Sequence, residues 1–146
     1  MELTSPAFEQ GGMIPERHTW HGHNIQPALS VVKIPQNACS LVVVMDDPDS
    51  AFGPFVHWLA YNIPPVGHIG EGELPGEQGM NDFGYVGYGG PRPQAGTHRY
   101  YVRLYALDLM LSPVAGRTKR QIEEAMRSHV LDSTALIGRC SAGWGR

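Results

Sequence analysis

The chain has 146 residues, which is the length of one domain and enough to bury a substantial core. Its formal net charge is -3, and no basic block or stripe offsets it, which argues against a nucleic-acid binder. Two cysteines, Cys39 and Cys140, neither build a disulfide framework nor supply a CxxC metal site. The opening MELTSPAFEQGG lacks the basic and apolar regions of a secretory signal, and no window approaches the roughly 18 apolar residues of a membrane span. A soluble cytoplasmic protein is the default expectation. The 18 glycines and 12 prolines, set between β-branched and aromatic runs, read as strands and turns.

Residues 1–26 read as mostly irregular, punctuated by Gly11, Gly12 and Pro15. His18, His21 and His23 stand close together there. HxH spacing sets two imidazoles on one side of a strand, as a metal site needs. No third ligand type completes the set, so the spacing favours exposed loop histidines and no metal.

Ala28–Val32 reads as a short strand and residues 34–37 as a turn. Ser40–Met45 is a fully apolar strand, of the kind buried on both faces or in a sandwich core. It runs straight into Asp46, Asp47 and Asp49. Pro48 and Pro54 stiffen the connection, each fixing its own φ and restricting the residue before it. Val56–Asn62 is the next strand, opening at His57 and Trp58. A strand that ends in acids and re-enters rigidly on a histidine brings carboxylate and imidazole to one end of a sheet. Residues 64–83 lack periodicity and read as a long surface loop, with His68, Glu71, Glu73 and Glu77 solvated.

The stretch 87–108 reads GYGGPRPQAGTHRYYVRLYALD. Gly87, Gly89 and Gly90 permit positive φ and close approach of backbone amides, a local arrangement able to bind an anion. A strand follows from His98 to Leu107. His98, Tyr100, Val102, Leu104 and Ala106 share one of its faces by the period of two, and the same period groups His57, Leu59 and Tyr61. Both faces begin polar and continue apolar, the pattern of a core that opens into a pocket at one end. Asp47, His57, His98 and Tyr100 then line its mouth, while Asp46 and Asp49 cap local amides.

One helix is expected after Thr118, a good N-cap with Gln121 completing a capping box. Ile122, Ala125, Met126, His129 and Val130 form its apolar stripe, with His129 partly buried at the end. Lys119–Glu123, Arg120–Glu124 and Glu123–Arg127 pair along the outer face. Gly138 reads as a stop, with little structure in the tail.

Two regions, DDPDS…GPFVHWLAYNIP and GYGGPRP…GTHRYYVRLYALD, resemble the paired signatures of the phosphatidylethanolamine-binding protein family, in the short bacterial and archaeal branch similar to Raf kinase inhibitor protein. The resemblance runs nearly end to end, including SPAF…GG.IP, Asn24 to Pro27 and LIGR near Gly138. It implies one PEBP-like domain over residues 1–146: a mainly β, antiparallel sandwich with Greek-key connections and one or two peripheral helices. It implies a regulatory binding protein whose pocket takes phosphate or a phospholipid head group. Inhibition of a protein kinase or serine protease is the alternative, and weak hydrolysis a second. No cofactor is implied, and relatives leave a homodimer open.

Matched by position, the family's ligand-binding residues fall on Asp47, His57, His98 and Tyr100, with Gly89, Gly90 and Pro91 at the rim. Asn24-Ile25-Gln26-Pro27 stands where NISP is usual, and Arg92 replaces a small neutral rim residue. The covering C-terminal helix of mammalian members has no counterpart after Gly138, so their lipid-chain contacts do not carry over. No Ser or Cys nucleophile is placed beside a histidine by any motif, which counts against an enzyme. An anion beside Asp47 needs a proton in between: either a histidine is cationic, or the ligand is a monoanion whose O–H donates to Asp47. In both cases His57, His98, Tyr100 and the Gly89 and Gly90 amides are the expected donors, and affinity rises as pH falls from about 8 to about 6.

Overall fold

The uninterrupted apolar run after Ser40 becomes β3 (Ser40–Asp47), and every one of its residues is buried. Such a strand needs cover on both faces. The computed structural model, which describes residues 1–143, supplies it with two sheets and one helix. The larger sheet contains β3, β4 (Phe55–Ile63), β6 (Glu77–Gln78), β7 (Thr97–Leu107) and β8 (Val130–Ser141) in the order β6-β4-β3-β7-β8. The smaller contains β1 (Glu2–Thr4), β2 (Leu29–Val32) and β5 (His68–Ile69) in the order β1-β2-β5. All these pairings are antiparallel.

Between the sheets lies the main core, built from Leu29, Val31 and Ile69 on one side and Val43, Met45, Trp58, Tyr100, Val102 and Leu104 on the other. The outer face of the large sheet is covered by α1 (Lys119–Met126), whose Ile122 and Met126 pack with Val42, Val44, Leu59, Tyr61 and Leu111. The capping box forms: Thr118 Oγ1 accepts from the Gln121 amide at 3.2 Å, and Gln121 Oε1 accepts from the Thr118 amide at 2.9 Å.

The structure departs from the sequence expectations in several elements. The helix stops at Met126, so the stripe does not continue through His129 and Val130; Val130 opens β8, and His129 Nδ1 pairs with Asp108 at 2.9 Å. The tail beyond Gly138 is not loose, because β8 pairs with β7 as far as Ser141. Gly138 serves close packing: a Cβ there would lie 2.6 Å from Ile14 Cγ1 and 2.8 Å from a Phe8 ring carbon. Long cross-strand pairing outweighs both a further helical turn and the local glycine signal.

Residues 64–83 are not a plain surface loop, since they carry β5 into one sheet and β6 into the other, with Ile69 and Asn81 buried. Residues 1–26 likewise hold β1 and a 3₁₀ turn, Glu16–His18. The chain between them screens the edge of β8. Gly11 N donates to Ile137 O at 2.7 Å, Ile14 N to Arg139 O at 2.8 Å, and Gln10 Oε1 accepts from Ile137 N at 2.6 Å. Of the three helix-face ion pairs expected, Arg120–Glu124 forms at 3.3 Å, whereas Lys119 turns to Asp46.

Candidate functional site

The site forms where β3, β4 and β7 end together. In the β3–β4 ladder Met45 pairs with Trp58, but Asp46 pairs with Val56, which leaves His57 as an inserted residue. This β-bulge turns His57 and Trp58 toward the same side. His57 packs edge-on against Tyr100, ring centroids 5.2 Å apart, on the inner face, while Leu59 and Tyr61 join the outer cluster under the helix. The period-two grouping of His57 with Leu59 and Tyr61 therefore fails. His57 reaches the pocket because the strand breaks its alternation.

On β7 the alternation holds. His98 and Tyr100 lie on the inner face, above Val102 and Leu104. Register places Asp46 opposite Tyr101, so Asp47 arrives beside His98. Its Oδ2 accepts from His98 Nδ1 at 2.6 Å and its Oδ1 from the Asp49 amide at 2.8 Å. Asp49 caps no local amide. It grips Arg99 by the guanidinium, at 2.8 and 3.0 Å, and by the backbone N–H at 2.9 Å, which lowers its carboxyl to about 2. Asp46 faces the opposite side, fully buried, between Arg103 Nη1 at 2.6 Å and Lys119 Nζ at 3.1 Å. The run Asp46-Asp47-Pro48-Asp49 thus sends one carboxylate to the outer face, one into the pocket and one to the rim.

The glycine turn departs from expectation. The Gly89 amide donates to His57 O at 2.9 Å and the Gly90 amide to Asn24 Oδ1 at 2.7 Å, so neither is available to a ligand. Gly89 O accepts from His57 Nδ1 at 2.6 Å. The glycines are required by contact distance: a Cβ on Gly90 would sit 2.3 Å from His18 O, and one on Gly89 2.3 Å from the Phe83 ring. Pro91 is buried, and its carbonyl accepts from Trp20 N at 3.0 Å. Gly89, Gly90 and Pro91 back the wall rather than line it.

A cavity of about 470 Å³ opens here, walled by Asp47, His57, His98, Phe55, Phe83 and Arg92, with Phe52 wholly exposed at its mouth. Asp47, His57 and His98 come together as the strand ends required. Tyr100 is fully buried behind them, and its hydroxyl has no hydrogen-bond partner among the described residues. Burial raises its pKa first, with the Asp47 charge adding to the effect. Burial also lowers the His57 pKa, against the opposing pull of Gly89 O and Asp47.

Sequence reasoning missed Phe55, Phe83 and Asp82. Phe83 falls in the stretch read as surface loop, yet it stacks on Trp20 at 4.3 Å and meets Phe55 edge-on at 4.8 Å. Aromatics beside prolines and glycines were the available signal. Arg92 lies over the Trp20 ring at 5.4 Å. Cys140, which no motif sets beside a histidine, pairs in register with His98. His18 is not an exposed loop histidine: it is buried, with Nδ1 at 2.8 Å from Ile25 O. No cluster of three metal-ligating side chains occurs among the described residues, and none of their helices is long and apolar enough to cross a membrane.

A profile of the family described as phosphatidylethanolamine-binding protein matches residues 4–141. A UPF0098 protein of Methanothermobacter thermautotrophicus is 42% identical, covering 94% of this chain and 97% of its own. One from Chlamydia trachomatis is 41% identical over the same shares. Among solved structures, a chain from Chlamydia trachomatis described as a phosphatidylethanolamine-binding protein homolog superposes with a TM-score of 0.93 at 39% identity, covering 97% of both chains. Escherichia coli YbcL, described as a member of the mammalian PEBP family, gives 0.89 at 25% identity, covering 97% of this chain and 98% of its own. With sheets, signatures and relatives in agreement, the chain belongs to the phosphatidylethanolamine-binding protein family.

Proposed function

We propose that this chain is a binding protein that captures a small phosphate-type oxyanion, inorganic or as a head group, in the pocket between Asp47, His57, His98 and Tyr100. The observation that carries the reading is the convergence of Asp47, His57, His98 and Arg92 on one cavity, with the buried Tyr100 behind the imidazoles. Arg92 at the wall supplies positive charge, and the cavity is within the size range of small-molecule sites. The phenyl rings of Phe55 and Phe83 exclude water from one side, which strengthens polar contacts on the other.

The reading is tested by titrating the protein with inorganic phosphate and with phosphoethanolamine, following the histidine ring resonances. Saturable shifts of His57 and His98 are expected, and Arg92→Gln should weaken binding about tenfold, the loss of one charge-assisted hydrogen bond to the guest. No saturable response to either compound at millimolar concentration would end the reading.

A further inference from the structure

We propose that this pocket selects oxyanions that bring their own proton, taking the phosphate or phosphomonoester monoanion and refusing sulfate. The inference rests on the phosphate reading above and concerns which protonation state enters.

A carbonyl oxygen only accepts, so the 2.6 Å contact from His57 Nδ1 to Gly89 O fixes the proton on Nδ1. In the neutral ring Nε2 is then an acceptor. Burial favours that neutral ring. The contact from His98 Nδ1 to the Asp47 carboxylate places a proton on Nδ1 in the same way. The amides that would ordinarily cradle an oxyanion are committed, Gly89 to His57 O and Gly90 to Asn24 Oδ1. Arg92 contributes a guanidinium at the wall, while the Tyr100 hydroxyl lies buried behind it and is drawn to the Asp47 carboxylate.

With both amides committed, His57 Nε2 is an acceptor on the inner surface that a fully deprotonated oxyanion cannot use. The charges agree with this. Facing His57 and its cavity are Asp47 from β3, Asp82 and Asp49 from the loops, and His98 and Tyr100 from β7, with Asp46 acting from behind β3. Asp49 is paired with Arg99 and Asp47 with His98, and Asp82 accepts from the Val56 amide at 2.7 Å, so Arg92 is the one guanidinium on the wall that these groups leave to a guest. A dianion meets repulsion there, and an O–H on the guest meets a waiting nitrogen. Sulfate has the shape of phosphate but carries no proton near neutral pH, so it leaves a buried acceptor unpaired. Sites built around a ligand hydroxyl reject analogues that lack it strongly.

Calorimetric titrations of the intact protein with phosphate, phosphoethanolamine and sulfate across pH 5.5 to 8 test this. Phosphate should bind more tightly than sulfate by at least about tenfold throughout. For each phosphate compound the loss of affinity with rising pH should follow that compound's own second ionisation, near 6 for a monoester and higher for the inorganic ion. Sulfate binding within tenfold of phosphate, or one shared midpoint for both phosphate compounds, would overturn the proton requirement and leave the phosphate reading standing. If none of the three binds, both fall.

Discussion

The Asp47 carboxylate joins the imidazole of His98, 2.6 Å away, to the amide of Asp49, 2.8 Å away, so one side chain couples β3, β7 and the loop between β3 and β4. Replacing it with Ala frees the His98 ring to rotate and leaves the loop amide without its acceptor. Asp47→Ala is expected to weaken phosphate binding by about tenfold or more, because hydrogen bonds to a charged group are worth roughly 1.5–3 kcal/mol. The His98 ring resonances should broaden or move in the same variant. Calorimetry and proton–nitrogen correlation spectra check this; unchanged affinity would separate Asp47 from the site.

Gly90 tests packing against ligand contact. A methyl group there meets the His18 carbonyl oxygen at 2.3 Å and Asn24 Oδ1 at 2.9 Å, and the first of these belongs to backbone. Gly90→Ala should cost about 1–3 kcal/mol, the usual range for forcing atoms into a filled site. Urea unfolding measures it. A variant as stable as the parent would show that the turn next to residues 18–24 can yield.

Acidification should expose His57. Burial lowers its pKa, so the unfolded chain takes up a proton at a pH where the folded site does not. Stability is thus fully present above about 6.5, the ordinary histidine value, and falls as pH drops below it, by at most about 1.4 kcal/mol per pH unit from this one group. Urea unfolding at pH 7.5 and 5.5 for the parent and for His57→Gln separates its share from that of the other histidines. The pH slope should be shallower in the variant, and identical slopes would contradict the assignment.

The bulge at His57 shows where sequence reasoning met its limit. Period-two alternation placed His98 and Tyr100 correctly, because β7 runs unbroken in that register until Ala106, far from the site. The same rule grouped His57 with Leu59 and Tyr61, which lie on the other face. A register shift is a property of two strands together and leaves no mark in either alone. The glycine turn is similar. Its composition signalled close backbone approach, but what approaches is the His18 carbonyl, a neighbour supplied by a distant part of the chain.

The sequence by itself determined the buried central strand, the polar end where Asp46, Asp47 and Asp49 gather, the capped start of the helix and the family, since each is written in local periodicity or in short motifs. Tertiary structure alone decided which atoms of the pocket still have hydrogen bonds to offer. That depends on partners such as Asn24, Gly89 and Gly89's neighbour in the turn, Gly90, which only folding brings within 3 Å of Asn24 or of His57. A hydrogen bond is short and directional, so its presence is fixed by packed geometry and not by the order of residues along the chain.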